Sequence, residues 1–258
     1  MWFKTKSFIS FLLKSNNQHR VHSPFVYDLV TKCFYKKTTL IKAQKYLDYR
    51  KELQGNHQEI TVTDFGKGSK IFKSNKRRIS QIAKVAGIST KRALLIIRLM
   101  THLKIENVLE IGTSLGLSTA AIKFGSPNAN IISLEGCKET AAIAMQQFKK
   151  FQFTNIEILL GEFNTTLPYV ILNNSFDLIF VDGNHQKQAT LNYFEQCLKT
   201  VHNNTVIIFD DIYWSKEMLE AWDEIKNHKS VTVSIDTYQW GMVFFRKEQE
   251  KENFTIRI

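Results

Sequence analysis

The spacing of apolar residues changes along the chain near residue 105. Beyond that point, short apolar runs alternate with longer segments in which apolar residues recur every three or four positions. This alternation is typical of βαβ units, and it predicts a mostly parallel sheet flanked by helices. Strands are predicted at residues 107–111, 130–135, 156–160, 176–182 and 205–210, and helices at residues 138–151, 187–200 and 215–228.

Two further apolar runs follow, at residues 231–235 and 241–246. The connection between them is too short for a crossover helix, so these two strands are expected to pair antiparallel. The pattern therefore predicts an α/β fold over residues 105–258, with seven strands in a doubly wound, mostly parallel sheet.

Residues 1–104 have a different pattern, which predicts mainly helices. Ser23 before Pro24 is a typical helix start, with serine as the cap and proline in the first turn. Residues 77–103 have a helical pattern that breaks near Gly87, which also resembles a DNA-binding helix-turn-helix. The second of these two segments is strongly apolar, which favours two packed helices leading into the first strand. We therefore predict a helical N-terminal extension, residues 1–104, ahead of the α/β domain, residues 105–258.

The composition of the chain indicates which broad class of protein it belongs to. The 258 residues are 43% hydrophobic, enough to bury a sizeable core. The three cysteines, Cys33, Cys137 and Cys197, are far apart, which argues against a disulfide framework or a zinc site and favours a cytoplasmic protein. No uncharged apolar stretch approaches the roughly 18 residues needed to span a bilayer, so no transmembrane segment is expected. Lys14 ends the first apolar run too early for a signal peptide.

Positive charge is concentrated in the extension. Residues 1–104 carry 22 Lys and Arg against 5 Asp and Glu, whereas residues 105–258 carry 13 against 19. Within the extension, residues 2–14 leave two alternatives open. Their apolar residues could pack against the core of the protein, which we favour, or form the apolar side of an amphipathic helix on a membrane. These apolar residues are Trp2, Phe3, Phe8, Phe11 and Leu12.

The stretch NVLEIGTSLGLSTAA, residues 107–121, contains the clearest candidate site. A predicted strand ends near Glu110, and Gly112 and Gly116 follow before a helix. Glycines let a ligand approach the main chain, and the start of the helix offers amide groups. A carboxylate here is a poor neighbour for a pyrophosphate but suits an amine-bearing cofactor. Glu135 ends the second strand, where an acidic side chain can hold both hydroxyls of a ribose. The alternative is a tight strand-to-helix turn without a ligand.

These motifs resemble class I S-adenosylmethionine (SAM) methyltransferases, whose Rossmann-like sheet of seven strands ends in an antiparallel pair. The resemblance covers roughly residues 105–246. It implies that Glu110, Gly112 and Ser118 surround the methionine part of SAM and that Glu135 holds the ribose. Gly161 and Glu162 are the candidates for the adenine contact, and Asp182 could accept from the methionine amine.

Three carboxylates follow the fourth and fifth predicted strands. Asp182 ends the run FDLIFVD, and Asp210 and Asp211 end TVIIFDD. Carboxyl ends of neighbouring parallel strands meet at one crevice, where a divalent cation such as Mg²⁺ would offset the repulsion between the carboxylates. The layout resembles the catechol and caffeoyl-CoA O-methyltransferases, in which an Asp and a later Asp-Asn pair hold the metal. Asp211 stands at the Asn position. His185 stands where that family has a lysine base, and an imidazole can accept a proton near neutral pH, which suits the same role. The alternative is a loop histidine that caps or hydrogen-bonds locally.

The resemblance predicts a SAM-dependent methyltransferase that acts on a hydroxyl with the help of a divalent cation. By the same analogy, the basic extension would form a lid over a small-molecule or RNA acceptor with negative charge. The glycine loop TDFGKGSK, residues 63–70, could belong to that lid. A nucleic-acid-binding or RNA-modifying protein and a nicotinamide-dependent oxidoreductase are the alternative functions. The oligomeric state stays open, with a homodimer among the alternatives.

Overall fold

The computed structural model describes residues 2–63 and 74–258 of the chain. Most of the TDFGKGSK loop therefore lies outside the described residues. The helices are α1 (Trp2–Lys14), α2 (Pro24–Leu29), α3 (Leu40–Gly55), α4 (Ile79–Val85), α5 (Thr90–His102), α6 (Leu117–Gly125), α7 (Lys138–Lys150), α8 (Phe163–Ile171), α9 (Lys187–Cys197) and α10 (Lys216–Asn227). The strands are β1 (Glu59–Thr61), β2 (Lys76–Arg78), β3 (Asn107–Ile111), β4 (Asn130–Glu135), β5 (Ile156–Leu160), β6 (Leu178–Val181), β7 (Val206–Asp210), β8 (Val233–Asp236), β9 (Trp240–Phe244) and β10 (Glu252–Thr255).

These elements form two compact units. The first unit contains Met1–Tyr35 and Leu167–Ile258, and the second contains Lys36–Thr166. The boundary expected near residue 105 rests on the change in charge and pattern, and it stays a prediction.

The second unit contains three parallel strands in the order β3-β4-β5. Their register pairs Glu110 with Ser133 and Glu135 with Leu160, so the carboxyl ends of the three strands lie along one edge. The apolar residues of α5, including Leu95, Ile96 and Leu99, are buried. A recognition helix of a DNA-binding protein would need an exposed face, so this burial favours the interpretation of α4 and α5 as packed helices. The β1–β2 antiparallel pair was not predicted.

The first unit contains five strands in the order β10-β8-β9-β7-β6. Strands β6 and β7 are parallel, and β8 and β9 pair antiparallel as their short connection predicted. Strand β10 lies parallel to β8 at the edge and was not predicted. Every residue of β6, β7, β8 and β9 is buried, and β6, β7 and β9 appear in the sequence as nearly continuous apolar runs.

The N-terminal segment of the first unit packs against its C-terminal strands. Ser23 caps α2 by accepting the N–H of Val26, with Pro24 in the first turn as predicted. The ring of Phe25 lies 5.1 Å from that of Phe244. None of the helices described between residues 2 and 63 or between 74 and 258 is long and apolar enough to cross a membrane. The doubly wound, mostly parallel α/β fold with a helical N-terminal extension is confirmed, with eight described strands after residue 105 instead of seven.

Candidate functional site

The turn between β3 and α6 has an unusual backbone. Gly112, Ser114 and Gly116 have φ angles of 107°, 49° and 74°, all in the left-handed region. The N–H groups of Gly112 and Thr113 both donate to the carbonyl of Leu134 on the neighbouring strand. Left-handed residues of this kind persist only where their surroundings hold them, and they concentrate at functional sites.

The two glycines of this turn have different roles. A Cβ added to Gly116 would lie 2.5 Å from Cε1 of Phe148 and 2.9 Å from the hydroxyl of Tyr49. The space beside Gly116 is therefore filled by the protein's own side chains, and a ligand is not needed to explain this glycine. Gly112, at the end of the strand, remains the candidate for close approach of a cofactor to the main chain.

Glu110 is fully buried beneath the turn, where three hydroxyl groups donate to its carboxylate. Ser118 donates to Oε1 at 2.5 Å, and Thr119 and Ser133 donate to Oε2 at 2.6 Å each. Burial raises the pKa of this carboxyl, because the hydrogen bonds only partly offset the loss of hydration. The carboxylate thus ties the start of α6 to β3 and β4. Its expected contact with the methionine part of SAM, like that of Ser118, stays a prediction.

Glu135 connects two loops at the carboxyl end of β4. Its Oε2 accepts the N–H of Ser114 at 2.6 Å, and its Oε1 accepts the N–H of Cys137 at 2.7 Å. Burial raises the pKa of this carboxyl, and the backbone hydrogen bonds oppose that shift. The N–H of Gly136 and the hydroxyl of Thr140 also interact with this carboxylate, whose two oxygens together offer about four acceptor positions.

The predicted adenine contacts lie at the end of the third strand. The N–H of Gly161 donates to the carbonyl of Glu135 at 3.0 Å, and Gly161 has a φ of 143°. Glu162 is exposed, and its carbonyl accepts the N–H groups of Thr165 and Thr166 at the start of α8. The candidate SAM residues of the second unit therefore follow three adjacent parallel strands, where α/β sheets bind ligands.

The first unit brings His185 and Asp182 together after β6. Nε2 of His185 lies 3.8 Å from Oδ1 of Asp182, and both side chains are about a quarter exposed. Asn184 and His185 have φ angles of 70° and 48°, so two consecutive residues of this loop are left-handed. The His185 ring also lies 5.8 Å from the ring of Trp214. An imidazole beside a carboxylate can accept a proton, because the carboxylate stabilises the resulting positive charge.

The expected metal site is not supported by the geometry. Asp210 Oδ1 accepts the N–H of Asp211 at 2.8 Å, and Asp211 has a left-handed φ of 54° that turns the chain between the two residues. Across residues 2–63 and 74–258, no group of three or more His, Cys, Asp or Glu side chains is arranged to hold a metal ion. Asp182, Asp210 and Asp211 follow neighbouring strands as predicted, but they do not form a ligand group.

Sequence reasoning missed two of the three hydroxyl partners of Glu110. Ser133 and Thr119 are fully buried and complete the hydrogen bonds of its carboxylate. The signal for Ser133 was present, because a lone serine inside the apolar strand NIISLE needs a polar partner. Trp214, beside His185, was also missed.

Part of the chain matches a known methyltransferase domain. Residues 109–212 match a family described as a methyltransferase domain. An uncharacterised protein of Acanthamoeba polyphaga mimivirus is 26% identical over 136 residues, which cover 49% of this chain and 52% of that protein. The chain thus spans about half the length of this curated relative.

Solved structures share the fold at low sequence identity. An SAH-bound methyltransferase from Podospora anserina is 16% identical with a TM-score of 0.61, over 88% of this chain and 97% of that one. An SAH-complexed O-methyltransferase from Bacillus cereus is 18% identical with a TM-score of 0.57, over 86% and 96%. A putative caffeoyl-CoA O-methyltransferase from Staphylococcus aureus is 16% identical with a TM-score of 0.57, over 65% and 88%. The match of residues 109–212 to a methyltransferase domain agrees with the resemblance found in the sequence, and these solved structures share the fold.

Proposed function

We propose that this chain, with its methyltransferase domain at residues 109–212, transfers a methyl group from SAM to a hydroxyl group of an acceptor. The observation that carries the proposal is the arrangement around Glu135. Its carboxylate holds the left-handed turn at Ser114 and the start of α7 at Cys137, at the carboxyl end of a parallel strand. This is the place where an α/β sheet binds a ribose.

The residues of the second unit would share the binding of SAM. Glu135 would accept both ribose hydroxyls. Gly112 would let the methionine part lie against the main chain, and Glu110 and Ser118 would fix the start of α6 beside it. Gly161 and Glu162 would border the adenine. The resemblance implies that Asp182 would accept from the methionine amine.

The proposed chemistry uses His185 as the base. When bound, SAM supplies an electrophilic methyl group on a positively charged sulfur. His185 would accept the proton of the acceptor hydroxyl, and Asp182, 3.8 Å away, would stabilise the protonated ring. The surplus of positive charge in residues 1–104 favours an acceptor with negative charge, either a small molecule or RNA.

Calorimetric titration with SAH tests the cofactor site. A hydrogen bond to a charged group contributes about 1.5–3 kcal/mol, so Glu135→Gln should weaken SAH binding roughly 10- to 100-fold. Glu157→Gln is the matched control, because Glu157 is an exposed carboxylate on the adjacent strand β5. Binding of NAD in place of SAH, or equal affinities for the two variants, would contradict the proposal.

The participation of a divalent cation stays a separate prediction. The described carboxylates do not form a ligand group, and no step of the proposed chemistry depends on a metal. Transfer of labelled methyl groups in excess chelator decides the point. If the chelator stops methyl transfer and added Mg²⁺ restores it, the result would support a cation at Asp182, Asp210 and Asp211. Unchanged transfer in the chelator would contradict the prediction of a cation.

The acceptor class needs an experiment of its own. Labelled SAM can be incubated with the protein and with separate extracts of small molecules and of RNA. Label in the RNA fraction alone would favour an RNA-modifying enzyme. Salt-sensitive RNA binding without any methyl transfer would instead favour a nucleic-acid-binding protein that uses the same fold.

A further inference from the structure

Helix α1 has one side that packs against the rest of the first unit. Phe11 is 4% exposed and Ser7 is buried on that side. The rings of Phe8 and Phe11 lie 4.9 Å and 5.5 Å from the ring of Tyr238. The hydroxyl of Tyr238 donates to the carbonyl of Lys4 at 3.0 Å, which fixes the same helix near its start. These contacts determine which side of α1 faces away from the unit.

The opposite side of α1 is also apolar. Trp2, Ile9 and Leu13 are 81%, 54% and 83% exposed. They are seven and four residues apart, a spacing that places them in one row along a helix, and Phe11 projects from the other side. Eleven residues of helix make this row about 16 Å long. Leu12, 37% exposed, widens it. We call Trp2, Ile9, Leu12 and Leu13 the outer row.

The charged residues of the segment that contains the outer row are all positive. Residues 2–27 include Lys4, Lys6, Lys14 and Arg20 but no Asp or Glu. Lys6 and Lys14 are exposed on α1 itself. A helix with an exposed apolar side and only basic charged residues is typical of segments that lie in the headgroup region of a membrane. Lysine side chains near such a row can extend their charge to the lipid headgroups while their methylene groups remain in apolar contact.

We propose that α1 docks on an anionic lipid surface, with the outer row inserted at the boundary between headgroups and acyl chains. RNA would satisfy the positive charge, but its phosphates would give the outer row no apolar environment. A second copy of α1 would bury the row but would bring like charges together. An anionic bilayer satisfies both features. The proposal does not depend on methyl transfer and can be tested on a protein that lacks activity.

Sedimentation with lipid vesicles tests the docking. The full chain should sediment with vesicles of equal parts phosphatidylglycerol and phosphatidylcholine, and salt should weaken the binding. Vesicles of phosphatidylcholine alone should bind it more weakly. Leu13→Ser should reduce the partition coefficient between vesicles and water roughly tenfold or more, because the variant loses the free energy gained by burying one leucine side chain. Lys6→Glu should reduce binding to the anionic vesicles only.

The matched control is Leu40→Ser, because Leu40 is 87% exposed at the start of α3, outside the outer row. The three substituted side chains are exposed, so thermal unfolding should change little in any variant, which separates docking from folding. Trp2 provides a second readout. Trp222 and Trp240 are fully buried, and Trp214 is half-buried with Lys4 over its ring, so brominated lipids should quench mainly the fluorescence that Trp2→Phe removes.

Three results would overturn the proposal. The first is no sedimentation with the anionic vesicles, and the second is an equal loss of binding in Leu40→Ser. The third is light scattering that shows a dimer which Leu13→Ser converts to a monomer, because a second copy would then cover the outer row. Failure of SAH binding with intact vesicle binding would contradict the proposed function and leave the docking of α1 in place.

Discussion

Gly116 offers a sharp test of the turn that carries the candidate cofactor site. Gly116→Ala adds a methyl group at a residue with φ 74°, where the ring of Phe148 would lie 2.5 Å from the new carbon. The left-handed conformation costs an alanine roughly 1–2 kcal/mol. Crowding of a packed site costs about 1–3 kcal/mol more. The free energy of unfolding should therefore fall by roughly 2–5 kcal/mol, which corresponds to about 4–20 °C in Tm for a chain of this size.

Urea denaturation followed by circular dichroism measures this change. A lower midpoint urea concentration with an unchanged dependence of the unfolding free energy on urea reports a loss of stability. Gly55→Ala is the matched control, because Gly55 ends α3 with nothing within 4 Å of an added Cβ. It should leave stability unchanged or raise it by about 0.4–1 kcal/mol, through the reduced freedom of the unfolded chain.

A double-mutant cycle separates the two contributions to the effect. Phe148→Leu removes the ring atoms that approach Gly116, so Gly116→Ala should cost less in that background. The backbone share of about 1–2 kcal/mol and the crowding by the Tyr49 hydroxyl, 2.9 Å from the added carbon, should remain. Equal midpoints for Gly116→Ala and the unsubstituted protein would show that the turn is neither left-handed nor packed as described. The assignment of the cofactor site to this turn would then lose its basis.

Two further predictions concern the buried carboxylate and the proposed base. The pKa of Glu110 is raised by burial, so its contribution to stability is present in full below its unfolded pKa of about 4.3 and is lost as the pH rises through the higher folded pKa. Glu110→Gln cannot titrate, and its urea midpoint should decline less between mildly acidic and neutral pH; parallel pH profiles of the two proteins would contradict this. His185→Ala should lower the rate of labelled methyl transfer by ~10²–10⁴ with SAH affinity unchanged in calorimetry, and a rate within twofold (about 0.4 kcal/mol) of the unsubstituted enzyme would exclude His185 as the base.

The sequence allowed an accurate prediction of the elements that are buried on both sides. Strands β3 and β4 are mostly buried and occupy the predicted residues, because a parallel strand buried on both faces must be a short apolar run. Strand β5 also occupies its predicted residues, although none of its residues is buried. The antiparallel pairing of β8 and β9 followed from the length of their connection. Strand β10, with the sequence ENFT, and the short β1–β2 pair were not predicted, because edge strands need few apolar residues and leave a weak pattern.

The sequence identified the residues of the candidate site but not the contacts between them. The position of Glu110 after an apolar run indicated a special role, yet only the register of β3 and β4 shows that Ser133 lies opposite it. Likewise, neighbouring strand ends predicted that Asp182, Asp210 and Asp211 would hold a metal together. Whether carboxylates form a ligand group depends on side-chain directions, which the sequence pattern does not encode.

The sequence by itself thus determined the α/β fold, the positions of the buried strands along the chain and the family that the chain resembles. These properties depend on hydrophobic burial and turn chemistry, which leave a periodic record in the chain. Only the tertiary structure decided that Gly116 is required by the ring of Phe148, that three hydroxyls surround Glu110, and that the outer row of α1 faces away from its unit. Each of these depends on contacts between residues far apart in the sequence or on which side of a helix is covered, and an apolar residue appears the same in a sequence whether it is covered or exposed.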